Sequence, residues 1–354
     1  MQYITRNIFT SAEIYAIIIS GKIFTGGIKM TTSREYFISE KGFRESMLNI
    51  VEPYLKSIAE DGFFEADDGN KIHYVYYKNE DAAGNIVIAH GFTESAEKFL
   101  EMCWYFSKMK LNVFIVDHRG HGLSHRHNTD KEVVHIKYFD QYVDDLQTLV
   151  EKVVLKKAPS LPLYLYSHSM GGAVSVQHLQ KYPGVFKKAI LSAPMIQAKT
   201  AGLPPAVAKA VTGIFIKLGK DSEKVIGYGG FNPDRTYEDS HDTSEERFNY
   251  YHRKKIENED IRTAAPSYRW VNEAVKVTAK NLDPERNKKI TAKILLCQPE
   301  EDSTVYMEAE DEFIKLVKDG RLVKFRDCRH EIYNSIDPTV QEYLDIIEDF
   351  LFNE

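Results

Sequence analysis

The chain has 354 residues, 43% hydrophobic and 28% charged, a soluble globular composition that excludes a disordered tail protein, a collagenous repeat and a coiled coil. A net charge of −6 gives no reason to expect nucleic acid as a partner. Three cysteines, Cys103, Cys297 and Cys328, are too few and too widely spaced for a disulfide framework or a zinc knuckle, which points to a reducing compartment.

No run of about 18 apolar residues occurs, so no spanning helix is expected. The best candidate, Ile14 to Phe24, is short, is broken by Gly21 and Lys22, and lacks the marks of a secretory signal. Met30 opens a more polar stretch and competes with Met1 as the true start. Residues 1–45 are therefore read as an N-terminal extension, optional or disordered.

From residue 62 the pattern becomes regular. Phe63 to Ala66, a turn at Asp68-Gly69-Asn70 and Ile72 to Tyr77 predict a β-hairpin. A buried strand at Asn85 to Ala89 precedes an amphipathic helix through Phe99, Met102, Cys103 and Phe106. Strand Val113 to Val116, helix Phe139 to Val154, strand Leu163 to Tyr166, helix Ala173 to Leu179 and strand Ala189 to Ser192 follow. Residues 196–288 read as helical, with many charges and aromatics. Strands then resume at Ile294 to Cys297 and Leu322 to Phe325, with helices at Glu308 to Val317 and Val340 to Leu351. This alternation predicts an α/β fold with a mostly parallel sheet flanked by helices. Residues 46–195 and 289–354 would form its core, and 196–288 an inserted helical lid.

The segment Leu163-Tyr-Leu-Tyr-Ser-His-Ser169-Met-Gly171-Gly runs from an apolar strand through a sharp turn into a helix. Crowded backbone there demands small residues two places before and two after Ser169. Gly171 meets that demand, and Ser167 stands where Gly is usual in Gly-x-Ser-x-Gly. Such a serine is a candidate nucleophile, the alternative being a simple helix cap. His90-Gly91-Phe92 follows another strand, so the amides of Phe92 and Met170 could hold an oxyanion. His330 and Asp302 fall in loops after the last two strands, where ligands bind in open α/β sheets. His330 would take the Ser169 proton and Asp302 would orient the imidazole, with Glu300 and Glu301 competing for that third role.

Together His90-Gly91, Asp117-His-Arg-Gly-His-Gly-Leu-Ser124, Ser167-His-Ser-Met-Gly171-Gly and Arg329-His330-Glu-Ile resemble the α/β-hydrolase fold. They resemble more narrowly its bacterial lysophospholipase and monoacylglycerol lipase branch, a serine aminopeptidase-type family. Pro266-Ser-Tyr-Arg-Trp270-Val is similar to the bacterial lysophospholipases, and the likeness spans roughly residues 62 to 352. The resemblance implies a serine esterase with Ser169, Asp302 and His330 as triad and Phe92 and Met170 as oxyanion donors. Ser167 departs from the pattern, and the stretch before about residue 45 has no counterpart.

His118, His121, His125 and His127 crowd one loop without a carboxylate or thiolate at ligand spacing, so no metal is assigned. Cys328, two residues before His330, reads as a bystander. Val207, Val211, Ile214, Phe215 and Leu218 recur at helical spacing, either covering the core or forming an acyl-chain wall or an edge for a lipid surface. Glu245 to Asp260 reads as a solvated charged face, while Tyr250, Tyr251, Tyr268 and Trp270 are candidates for the pocket. His90, Phe215 and Trp270 are taken as substrate-binding residues.

The expectation is a carboxylic-ester hydrolase, cytoplasmic or peripheral at the membrane, acting on a lysophospholipid or monoacylglycerol without a cofactor. A short-chain carboxylesterase or acyltransferase with the same triad, and a non-catalytic binding protein, are the rivals.

Overall fold

Eight strands build one sheet. β1 (Ala59–Glu65) and β2 (Lys71–Tyr77) form the expected hairpin, with Gly69 at φ 80° in its turn. β1 begins earlier than its apolar residues suggest, because the polar stretch Ala59–Gly62 completes the ladder opposite Tyr77–Tyr74. β3 (Gly84–Ala89), β4 (Leu111–Val116), β5 (Leu163–His168), β6 (Lys188–Ser192), β7 (Lys293–Pro299) and β8 (Gly320–Phe325) follow. Their order across the sheet is β1-β2-β4-β3-β5-β6-β7-β8. β2 runs antiparallel to its neighbours, and β4, β3, β5, β6, β7 and β8 pair in parallel.

The computed structural model describes residues 35–354 and the backbone pairing of Ile18–Ile19 with Lys22–Ile23. Met30 and most of the expected extension lie outside the described residues. A compact unit begins at Ile38 rather than after residue 45. The reason is local: Phe43, Met47, Val51 and Leu55 recur every four residues and are all buried. They lie along Phe43–Ser46, a π-helical turn at Met47–Val51, and α1 (Glu52–Ile58).

Every residue of β3, β4 and β5 is buried, which explains their unbroken apolar runs. The edge strands differ: β1 exposes Glu60, Asp61 and Glu65, and β8 exposes Lys324, charges that discourage further pairing. The helices of the alternation are α2 (Leu100–Lys108), α3 (Asp140–Leu149), α4 (Met170–Lys181), α8 (Met307–Leu316) and α9 (Asp337–Phe352). Tyr142 and Leu146 of α3 and Val174 of α4 close over Val87, Phe114 and Leu165 of the sheet in one apolar core.

Between β6 and β7 the chain turns helical, with α5 (Pro205–Lys217), α6 (Glu245–Glu257) and α7 (Tyr268–Asn281). Ala265–Pro266 pairs in parallel with Val133–Val134, tying this segment to the loop after β4. α5 lies on α7, where the Asn272 amide donates to Thr212 Oγ1 at 2.9 Å.

Candidate active site

Ser169 stands alone between the end of β5 and the start of α4, with φ 50° and ψ −116°. That backbone is strained for a residue with a Cβ, and such strain collects where a side chain must be presented. The surroundings enforce it. A Cβ on Gly171 would lie 2.0 Å from the Ala89 carbonyl oxygen, and one on Gly172 would lie 2.4 Å from Pro194 Cβ. Ser167 is fully buried and its hydroxyl donates to the Ile190 carbonyl at 3.4 Å, so its small side chain fits between β5 and β6.

The loops after β7 and β8 bring two partners to this turn. His330 Nε2 lies 2.8 Å from Ser169 Oγ, and His330 Nδ1 lies 2.6 Å from Asp302 Oδ2. Asp302 Oδ1 accepts the amides of Thr304 and Val305 at 2.7 and 2.9 Å, which fixes the carboxylate. Burial alone would raise this carboxyl, but His330 and those two amides hold it below its ordinary value. Glu300 and Glu301 are exposed, and the Asp327 amide donates to Glu300 at 3.3 Å. Neither competes with Asp302 for the imidazole. The Cys328 thiol donates to the Phe325 carbonyl and is pushed up to about 12, chiefly by burial, so it is no nucleophile at neutral pH.

Phe92 follows β3 and Met170 opens α4; among the described residues neither amide donates to another group. Two further residues, unmarked by sequence reasoning, brace this geometry. Glu94 Oε2 accepts the Gly91 amide at 2.5 Å and faces His168 Nδ1 at 3.1 Å, while Glu94 Oε1 accepts the Tyr333 hydroxyl at 2.7 Å. His168 Nε2 reaches the His330 carbonyl oxygen at 3.3 Å. Both neighbours of His168 are acceptors, so both ring nitrogens donate and the ring is an imidazolium. Its pKa agrees in direction: burial lowers it, but the Glu94 carboxylate more than compensates and leaves it raised. Burial would likewise raise Glu94, which His168 and Lys98 hold well below the usual carboxylate range. Glu94 and His168 are internal to the two motifs that surround the site; their signal was position, two residues after Gly-Phe and one before the serine.

Residues 80–337 match the family model described as serine aminopeptidase, S33 (Hydrolase_4). The chain belongs to this serine hydrolase family. It is 28% identical over 295 residues to lysophospholipase L2 of Escherichia coli strain K12, covering 81% of this chain and 86% of that protein. It is 33% identical over 148 residues to the monoacylglycerol lipase of Mycolicibacterium smegmatis, covering 42% and 51%. In structure it is similar to a soluble variant of monoglyceride lipase from Saccharomyces cerevisiae bound to a substrate analog. The TM-score is 0.68 at 17% identity over 84% of this chain and 96% of that one. That likeness establishes the α/β-hydrolase fold.

A cleft opens at the serine turn. It holds about 610 Å³ and is lined by Ser169, His330, Phe92, Met195 and Trp270 together with residues of α6. Of the three expected binding residues, Trp270 is there, its ring 4.1 Å from that of Phe92 and its Nε1 donating to Tyr142 Oη at 3.3 Å. His90 is not. It is wholly buried, Nδ1 donates to the Gly91 carbonyl at 2.7 Å, and Nε2 accepts the His118 amide at 2.9 Å, so no polar atom is left for substrate. Phe215 also misses the cleft, because its ring stacks on Tyr268 at 4.1 Å and fastens α5 to α7. His118 and His121 pack around His90, and burial holds both imidazoles neutral, well below the usual value.

The charged stretch Glu245 to Asp260 is not a solvated face throughout. α6 turns Phe248, Tyr251, His252 and Lys255 into the cleft at i, i+3, i+4 and i+7. Its opposite side grips the core. Arg247 is fully buried, donates to Glu101 at 3.0 Å and to the carbonyls of Ser335 and Ile38 at 3.0 and 2.9 Å. Tyr250 donates to Glu52 of α1 at 2.5 Å. The surplus of charge hid this division, since Arg247 and Lys255 look alike in a linear text.

Proposed function

We propose that the protein is a carboxylic-ester hydrolase working through an acyl-enzyme on Ser169, with a lysophospholipid or monoacylglycerol as substrate. The observation that carries this reading is the unbroken chain Asp302–His330–Ser169, at 2.6 and 2.8 Å. His330 Nε2 takes the hydroxyl proton as Ser169 Oγ attacks the ester carbonyl. Asp302 keeps Nδ1 protonated and stabilises the imidazolium that forms. The free amides of Phe92 and Met170 receive the negative charge that develops on the carbonyl oxygen, assisted by the N-terminus of α4. His330 then returns its proton to the departing alcohol, and water repeats the sequence in reverse to release the acid.

The lipid substrate is supported by the names of the relatives and by the apolar part of the cleft at Phe92, Met195 and Trp270. Residues 196–288 act, on this reading, as a lid over that cleft. Val207, Val211 and Ile214 of α5 and Leu218 just past its end form an exposed stripe, with Ile214 and Leu218 59% and 67% exposed. From Lys199 to Ile226 the chain carries five lysines against two acidic residues. An apolar stripe with a basic flank suits peripheral contact with an anionic lipid surface. Among the described residues no helix is long and apolar enough to cross a membrane. Three buried free cysteines support a cytoplasmic setting.

The test is a fluorophosphonate probe followed by an ester panel of rising chain length. Labelling at Ser169 with kcat/KM rising from acetate towards long acyl chains is expected, since each buried CH₂ contributes about 0.8 kcal/mol. Steady decline from acetate would leave a small-ester hydrolase, transfer to an added alcohol would indicate an acyltransferase, and absence of labelling would leave a binding protein.

A further inference from the structure

Besides the His168 imidazolium paired with Glu94, four lysine and arginine side chains line the cleft beside Ser169: Lys98, Lys199, Arg235 and Lys255. Only Lys98 is neutralised, by Glu331 at 2.5 Å and Glu94 at 3.4 Å. Lys255 Nζ donates to the Thr263 carbonyl at 2.8 Å, Arg235 Nη2 to the Asp239 carbonyl at 2.5 Å and Lys199 Nζ to the Asp302 carbonyl at 2.5 Å. None of these three meets a carboxylate among the described residues.

The acids of the cleft are already committed. Glu94 faces His168 and Lys98, and Glu331 faces Lys98. Asp242 is held well above its usual range, first by burial and then by the Glu331 charge. A chain of net charge −6 thus leaves surplus positive charge in this one cleft. Lys255 shows the strain. Burial, with Lys98 and Arg235 nearby, pushes its ammonium down to about 7, the mark of a cation lacking its counter-ion. The ring of Phe231 lies 5.4 Å from Lys255 Nζ and does not supply one.

We propose that Lys255 and Arg235 form an anion subsite that receives the phosphate of a single-chain phospholipid while its ester lies at Ser169. This rests on the ester-hydrolase reading above and sharpens it: a phosphate-bearing lysolipid is preferred to the neutral monoacylglycerol with the same acyl chain. Arginine supplies a planar fork for two phosphate oxygens and lysine a point charge beside it. The site lies on the cleft face of α6 and the loop before it, 47 to 95 residues from Asp302 and His330 in sequence, where no motif marks it.

The experiment compares kcat/KM for 1-acylglycerol 3-phosphate and 1-acylglycerol of equal chain length, in wild type, Lys255→Met, Lys255→Arg and Arg235→Gln. Wild type should favour the phosphate ester. Lys255→Met should cut that preference by about 10-fold to 100-fold, Arg235→Gln should cut it in the same direction, and Lys255→Arg should restore most of it. An unchanged ratio in both Lys255→Met and Arg235→Gln, or a wild type that favours the neutral lipid, overturns the subsite. Should neither lipid be hydrolysed, the ester-hydrolase reading falls while the subsite is still decided by calorimetry with sn-glycerol 3-phosphate. Binding that Lys255→Met abolishes supports it; no binding, or equal binding by the variant, overturns it. Inorganic phosphate that competes as well as sn-glycerol 3-phosphate, with no lipid preference in the wild type, also overturns the headgroup role.

Discussion

Ser169, His330 and Asp302 are joined by two short contacts, and with the roles proposed above the cost of losing each can be stated separately. Ser169→Ala should lower ester turnover by on the order of 10⁴ to 10⁶ with the melting temperature near wild type, checked by steady-state assay and calorimetry. Asp302→Asn should lower kcat by about 10⁴, because an amide favours the wrong imidazole tautomer, whereas Glu301→Gln on the exposed neighbour should change little. If Glu301→Gln proves the costlier change, Asp302 is not the acid. His168 adds a pH signature. Its folded pKa is raised above the unfolded 6.5, so its contribution to stability is full below that value and fades as pH rises through the folded one. As pH rises above 6.5, the melting temperature of the wild type should therefore fall more steeply than that of His168→Asn. Parallel slopes for the two proteins would show that the Glu94–His168 pair contributes nothing. Ser169, Phe92 and Met170 follow strands with a glycine one or two places away, a local demand that short motifs record, and Asp302 and His330 were placed only by the loops after the last two strands. Glu94 and His168 stand beside the motifs, but they work through partners 74 and 162 residues away in sequence, which a linear pattern does not name.

Helices carry the next layer of information, and α6 shows how a charged one divides its labour. Arg247, Tyr250 and Lys254 look toward α1 and α2, while Phe248, Tyr251, His252 and Lys255 look into the cleft. Removing the guanidinium would leave Glu101 buried and without its strongest partner. Arg247→Ala should thus cost about 3–5 kcal/mol of stability, measured by urea denaturation. A loss within about 0.5 kcal/mol, the range typical of surface substitutions, would show that α6 is not bolted down by this residue. The strands and helices of the α/β part were foreseeable from apolar runs and 3.6-residue periods, which burial in a layered fold enforces. In the inserted helices the same period is met in two ways. On α5 the side chain expected to hold substrate, Phe215, stacks on Tyr268, while Ile214 beside it faces outward. Periodicity identifies an apolar stripe but not what covers it.

A net charge of −6 would repel an anionic membrane if it were spread evenly, yet the stretch around α5 is locally basic and apolar. Replacing Ile214 and Leu218 together by Asp should weaken sedimentation with anionic vesicles by about tenfold or more, through lost apolar burial and added repulsion. Vesicle binding unaffected by that double change would place the membrane contact elsewhere or nowhere. The sheet order has its own consequence in time. Ser169 directly follows the fifth strand, whereas His330 lies 161 residues further on, beyond the whole inserted segment and the last two strands. A ribosome that has released only the first six strands has already made Ser169 and the amides of Phe92 and Met170, but neither Asp302 nor His330. Contacts of such long separation form late, after the loops between them are closed. With the roles proposed above, the growing chain is chemically latent: reactivity toward esters arrives only after the final strand, when the fold that confines it is nearly complete.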